Sequence, residues 1–184
     1  MFDVPFVHKN ITIDTNRIVN SIREHTKTLK IPNPWAKQSH VITSIAAGGE
    51  DAWQDEELFQ AFQPALKEYI DKVIGLNVKL SCHMWYNIYN EGFHQEQHNH
   101  ISSGNLASGI IYVQMPKKST ATRFINPDIL FYNSTEYKEE FKYFTPKVKN
   151  GDIIIFPPWV EHRVDKQFDI TNTRITVAFN ISNK

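Results

Sequence analysis

At 184 residues, 41% of them hydrophobic, the chain is long enough to bury one substantial core and too short for two domains of ordinary size. Lysine plus arginine equals aspartate plus glutamate at 20 each, so there is no excess basic field to hold phosphates, and general nucleic-acid binding is not expected. The single cysteine, Cys82, excludes an internal disulfide, and no apolar run is long enough to serve as a membrane-spanning helix.

In chain order, residues 14–29 place Ile18, Val19, Ile22 and Leu29 on one face, with Asp14 or Thr15 as N-cap, and predict an amphipathic helix. Residues 55–74 repeat the pattern with Leu58, Phe62, Leu66, Tyr69, Ile70 and Val73, although Pro64 is predicted to kink this helix or split it in two. Both helices suit a role as buttresses to a sheet. From Asn77 onward the pattern changes to short β-rich runs between turn residues, at 78–89, 107–115, 121–125, 153–156 and 174–181. Two helices followed by many short strands predict a mainly β fold with supporting helices, built on a double-stranded β-helix (jelly-roll, cupin-like) core. The expected organisation is one domain over 1–184, with helical support at about 14–74 and the β-helix at about 77–182. Residues 117–120 and 132–150 are expected to be exposed or mobile, the second with a short helix around 134–141. With Asp3 and Pro5 near the start and one cysteine, a reducing cytoplasm is expected, where the sequons at Asn10, Asn133 and Asn180 are accidental and Cys82 serves packing.

The chemistry concentrates around histidines. If the stretch near His98 is extended, His98 and His100 project from the same face. Gly151-Asp152 signals a turn, Ile153-Ile154-Ile155-Phe156 suits a buried strand, and Pro157-Pro158 ends it shortly before His162, which predicts His162 at the rim of a sheet. Two ligands from one strand and a third from a distant strand would form a facial triad with open positions for a cosubstrate and oxygen. A bare His-x-His pair fits a solvent-facing loop equally well. His94-Gln95-Glu96 also has ligand spacing, and keeps His94, Glu96 and His162 as a fallback triad. The zinc-protease pattern is excluded, since Gln95 stands where it needs Glu. His8, His25, His40 and His83 read as surface or second-layer residues. Arg174 opens the last strand, where a guanidinium can grip a carboxylate through two parallel hydrogen bonds, and Thr176 shares its face as a third donor. The alternative is a surface arginine paired with an acid. Tyr112, Asn87 and Asn180 fit either pocket polar groups or internally satisfied ones, while Trp85, Trp159 and Phe124 read as core.

Several blocks together resemble the 2-oxoglutarate/Fe(II) oxygenases related to prolyl hydroxylases, in particular a branch found in marine bacteria and tailed phages. They are Trp85-Tyr86-Asn87-Ile88-Tyr89, Gly92, His98-x-His100, Ser108-Gly109-Ile110-Ile111-Tyr112-Val113, Phe124-Ile125-Asn126-Pro127, Gly151 to Pro157, His162-x-Val164 and Arg174 to Asn180. Even Phe2-Asp3-Val4-Pro5-Phe6 resembles the branch's first strand, so the likeness covers nearly the whole chain. The wider superfamily carries His-x-Asp or His-x-Glu, whereas the aligned position here is His100; His-x-His is usual in the branch, which makes His100 a replacement ligand. The resemblance implies that His98, His100 and His162 bind Fe(II) as the catalytic centre. It also implies that Arg174, Thr176 and Tyr112 bind 2-oxoglutarate, that O2 takes the remaining position, and that oxidative decarboxylation to succinate drives hydroxylation of a C–H bond. Expected partners are the small-molecule cosubstrate and a peptidyl or small-molecule primary substrate, with a homodimer allowed and no membrane. The expected compartment is the cytoplasm, that of the host if phage-encoded. Three neutral imidazoles leave the ion's charge uncompensated, and this keeps two rivals open. One is a three-histidine dioxygenase independent of 2-oxoglutarate. The other is a catalytically silent β-helix binding protein such as a virion component.

Overall fold

Asp14 accepts a hydrogen bond from the Arg17 N–H at 3.0 Å and so starts helix α1 (Thr15–Thr28), which buries Ile18, Val19 and Ile22. Asp55 plays the same part for α2 (Glu56–Tyr69), accepting from the Leu58 N–H at 2.9 Å, and its carboxylate also takes two hydrogen bonds from Arg17 at 2.8 and 2.9 Å. One buried carboxylate therefore caps α2 and ties it to α1. These features come from a computed structural model that describes residues 4–30, 40–47, 52–75, 79–129 and 137–183.

Pro64 does not split α2. It lies on the exposed side, and the missing backbone donor is outweighed by the unbroken apolar stripe of Phe62, Ala65, Leu66 and Tyr69 on the other. The helix changes only afterwards, into a π-helical turn at Ile70–Ile74 that Gly75 ends at φ 66°.

The strands are β1 (Val7–Asn10), β2 (Ile42–Thr43), β3 (Leu80–Tyr89), β4 (Gln95–His98), β5 (Asn105–Gln114), β6 (Thr122–Ile125), β7 (Tyr143–Phe144), β8 (Asp152–Phe156), β9 (His162–Val164) and β10 (Arg174–Asn183). They form two antiparallel sheets, β1-β8-β5-β10-β3-β2 and β4-β9-β6-β7, the two layers of a jelly roll. The five anticipated runs became β3, β5, β6, β8 and β10; residue 78 lies outside the described residues. Strand β1 corrects the expectation for residues 2–6. It begins after Pro5, whose missing N–H cannot join a ladder, and pairs Val7 with Ile155. Phe2 and Asp3 are outside the described residues, while Val4 and Phe6 pack between the layers without strand pairing. Of the helix anticipated at 134–141, residues up to 136 are likewise outside, and the observed turn is α3 (Glu139–Lys142). Beyond it the stretch is not all loop, because β7 pairs with β6.

Strand alternation places the site. On β10, Ile175, Val177, Phe179 and Ile181 enter the core shared with Ile18, Ile22, Phe62 and Tyr69 of the helices, so Arg174, Thr176, Ala178 and Asn180 face the opposite way, into the space between the sheets. Trp85, Asn87 and Tyr89 of β3 face the same space. Gly109 of β5 keeps the helical side close-packed: a Cβ there would overlap the Phe179 ring, which itself stacks on Phe62 at 4.5 Å.

Candidate metal centre and carboxylate pocket

Strand β4 pairs antiparallel with β9, with His98 opposite His162. A register irregularity between Gln95 and His98 changes the parity of the strand, so both side chains face the interior. His98 is the last residue of β4, and His100 lies just beyond it rather than on the same strand as anticipated. The His100 N–H bonds the Pro158 carbonyl at 2.8 Å, which keeps the loop against the β8–β9 connection. Pro157-Pro158 carry the chain to the other sheet, where His162 opens β9.

The three imidazoles converge. One ligand atom from each lies within 4.8 Å of the others, and the ring centroids are separated by 4.3, 5.1 and 5.3 Å. Each Nδ1 meets an oxygen: the Glu96 backbone carbonyl at 2.8 Å for His98, the Val160 carbonyl at 3.1 Å for His162, and the Asn180 Oδ1 at 2.7 Å for His100. A carbonyl oxygen only accepts, so Nδ1 carries the proton in all three rings and Nε2 keeps its lone pair. Burial, the dominant cause, holds His98 and His162 below the usual histidine range and lowers His100 to about 4. Neutral imidazoles with bare, convergent nitrogens are the donor set a divalent transition metal requires. Glu96 contributes its backbone carbonyl while its side chain is exposed, and neither it nor His94 joins the cluster found among the described residues.

Arg174 is 0% exposed, yet no carboxylate pairs with it among the described residues. Its Nη2 donates to the Thr122 hydroxyl at 3.3 Å; Nε and Nη1 have no hydrogen-bond partner among the described residues. The guanidinium carbon lies 4.6 Å from the Tyr89 ring centroid and 5.7 Å from that of Tyr112. These rings attract the cation without neutralising it. Burial pushes the Tyr89 hydroxyl up to about 12 and raises Tyr112 as well, so both stay uncharged. The Tyr89 hydroxyl donates to Gln95 Oε1 at 2.6 Å, whereas the buried Tyr112 hydroxyl, beside Thr122, makes no well-directed hydrogen bond. Thr176, 2% exposed, lies two residues along β10 from Arg174 and lines the same pocket as the histidines. A buried cation with two unpartnered nitrogens among the described residues is a seat for an anion.

Thr122, Tyr89, Gln95 and Ser108 escaped the reading of the sequence. Tyr89 shares strand parity with Trp85 and Asn87, and that was the one signal available for it. Trp85, read as core, is 2% exposed and also stacks on His100, with centroids 5.6 Å apart.

Three convergent imidazoles that could hold a metal ion, and a buried guanidinium with no acidic partner among the described residues, set the site between the sheets of a jelly roll. The chain belongs to the family described as "Putative 2OG-Fe(II) oxygenase", whose model matches residues 83–180, and is a 2-oxoglutarate/Fe(II)-dependent oxygenase that uses O2. Its fold is similar to that of a Pseudomonas putida prolyl-4-hydroxylase, at 11% identity and a TM-score of 0.65 over 98% of this chain and 94% of that one. A viral collagen prolyl hydroxylase from Paramecium Bursaria Chlorella virus-1, in its 2OG complex, is similar at 11% identity and a TM-score of 0.58, covering 97% and 96%. HygX from Streptomyces hygroscopicus, with nickel, 2-oxoglutarate and hygromycin B bound, is similar at 11% and 0.59, covering 98% and 83%. At these identities the structural likeness establishes the fold alone. The chain matches none of the curated protein sequences with which it was compared.

Proposed function

We propose that His98, His100 and His162 hold Fe(II) through their Nε2 atoms and that Arg174 receives the distal carboxylate of 2-oxoglutarate, in an enzyme that hydroxylates a peptidyl side chain or a small molecule. The observation that carries this reading is the Arg174 guanidinium, fully buried, opposed by no anion among the described residues, left with two unpartnered nitrogens and bonded through Nη2 to Thr122, which lines the same pocket as the three imidazoles. Nη1, beside Nη2 at the tip of the guanidinium, offers a bidentate grip, and the hydroxyls of Thr176, which lines the histidine pocket, and of Tyr112, whose ring lies against the guanidinium, are further donors. Exclusion of water by Tyr89 and Tyr112 strengthens the charge–charge contact.

Iron held by the three imidazoles would supply oxygen activation coupled to oxidative decarboxylation of 2-oxoglutarate to succinate. The chain's own residues hold both groups, keep the imidazoles unprotonated and shut out solvent. With three neutral ligands the site lacks the negative charge of a carboxylate ligand, so the dianionic cosubstrate would supply it. Metal and cosubstrate should then each tighten the binding of the other.

A peptidyl substrate is supported by likeness to prolyl hydroxylases, and a small molecule by likeness to HygX, which binds hygromycin B. We read the chain as one oxygenase domain over 1–184, working in a cytoplasm, a host's if phage-encoded, alone or as a homodimer. The test is anaerobic titration of the Fe(II)-loaded protein with 2-oxoglutarate. A visible charge-transfer band should appear and saturate at one equivalent. If metal binds but neither band nor 2-oxoglutarate binding appears, the 2-oxoglutarate-independent three-histidine reading replaces this one, and failure to bind Fe, Mn, Co or Ni favours the silent binding protein.

A further inference from the structure

The three imidazoles are not held alike. His98 and His162 each donate to the backbone carbonyl two residues upstream, at Glu96 and Val160, a bond the strand backbone supplies whatever the neighbouring side chains are. His100 sits beyond the end of β4, and its ring N–H goes instead to a side chain 80 residues away, the Asn180 carboxamide on β10. We propose that Asn180, oriented by Ser108, is the positioning residue that makes His100 a metal ligand, an inference that rests on the three-histidine reading above.

The geometry gives Asn180 this part. It stands directly across the sheet from Ser108 of β5, and the fully buried Ser108 hydroxyl donates to Asn180 Oδ1 at 2.8 Å while His100 Nδ1 donates to the same oxygen at 2.7 Å. A carbonyl oxygen has two lone pairs, and here one takes the Ser108 hydroxyl and the other the His100 N–H. The Asn105 side chain holds the His100 carbonyl at 2.9 Å, and Trp85 stacks on the ring with planes 26° apart. Those contacts restrict the backbone and the ring plane but leave the choice of nitrogen open. Only the Asn180 oxygen requires the proton on Nδ1 and thereby leaves Nε2 bare toward His98 and His162. Without it the ring would divide between two tautomers, one of which presents an N–H to the metal.

The test uses the full-length protein in two measurements. Long-range 1H–15N spectra of the metal-free, histidine-labelled protein should show His98, His100 and His162 each as a single tautomer protonated on Nδ1. In Asn180→Leu, His100 should become a mixture while the other two are unchanged. Calorimetric Mn(II) affinity of Asn180→Leu should fall by about 10- to 100-fold, the usual effect of losing the partner of a ligating histidine. Asn180→Asp keeps an acceptor and should recover most of the affinity, and Ser108→Ala should cost less than Asn180→Leu. A merely structural role would lower the melting temperature of metal-free Asn180→Leu without altering the His100 tautomer. If that variant fails to fold, Asn180→Asp decides: an Mn(II) affinity as low as that of His100→Ala overturns the proposal. An unchanged tautomer or an unchanged affinity in folded Asn180→Leu overturns it too. If the wild type binds no metal, the three-histidine reading fails by itself, while the His100 tautomer still reports on Asn180.

Discussion

Replacing Arg174 by methionine should change stability in opposite directions with and without ligand. In the ligand-free protein the guanidinium is buried with no counterion among the described residues. Such burial costs several kcal/mol, offset in part by the faces of Tyr89 and Tyr112 at roughly 0.5–2 kcal/mol each. Methionine keeps an unbranched stem in the same space without the charge, so ligand-free Arg174→Met should gain about 1–2 kcal/mol. For a chain of this length that raises the melting temperature by roughly 2–8 °C. With Mn(II) and 2-oxoglutarate the order reverses. Loss of a bidentate charge-assisted contact should weaken cosubstrate binding about a hundredfold, close to 2.8 kcal/mol, with Mn(II) affinity little changed. Wild type at a hundred times its dissociation constant gains about 2.7 kcal/mol from the cosubstrate, and the variant, then at its own dissociation constant, should gain only about 0.4 kcal/mol. Differential scanning fluorimetry with and without 2-oxoglutarate reads the reversal, and calorimetry gives the affinities. A variant that is less stable without ligand and binds 2-oxoglutarate as tightly as wild type would show that Arg174 is purely structural.

His98→Ala and His162→Ala should each abolish stoichiometric Mn(II) binding in calorimetry with far-UV circular dichroism unchanged, whereas Glu96→Gln should bind normally; normal binding in His98→Ala with loss of binding in Glu96→Gln would move the site to His94, Glu96 and His162. Gly109→Ala should destabilise the protein by about 1–3 kcal/mol, seen as a lower melting temperature, because the added methyl displaces the Phe179 ring from Phe62; an unchanged melting temperature would contradict the packing. Burial raises the Cys82 thiol from its usual 9.0 to about 12, so alkylation by iodoacetamide at pH 8 should be much slower than for a free thiol. The sign follows for stability: the unfolded thiol ionises first, and the contribution of Cys82 should be complete below pH 9 and decline as the pH rises toward 12.

What could be read along the chain was whatever has a local period. The stripe of Ile18, Val19 and Ile22 gave one helix, Phe62, Leu66 and Tyr69 gave the other, and the long apolar runs gave β3, β5, β8 and β10 to within a few residues. Strands β2, β4, β7 and β9 hold two to four residues each, too few for alternation to stand out from loop, and their existence depends on partners elsewhere. Motif spacing singled out His98, His100, His162, Arg174 and Thr176, because ligand and clamp residues must be particular types at particular offsets.

Tertiary structure decided how those residues are used. The irregularity between Gln95 and His98 sets which side chains of β4 face inward, and it exists only in the pairing with β9. That Arg174 is buried and unpaired, rather than an arginine bonded to an acid at a strand end, depends on Thr122, Tyr89 and Tyr112, which lie 52, 85 and 62 positions away in sequence. The proton on His100 Nδ1 depends on an oxygen 80 residues away. Local sequence sets propensity and periodicity, which are short-range properties of the backbone. Burial, charge pairing and tautomer are fixed by neighbours that strand pairing alone brings together.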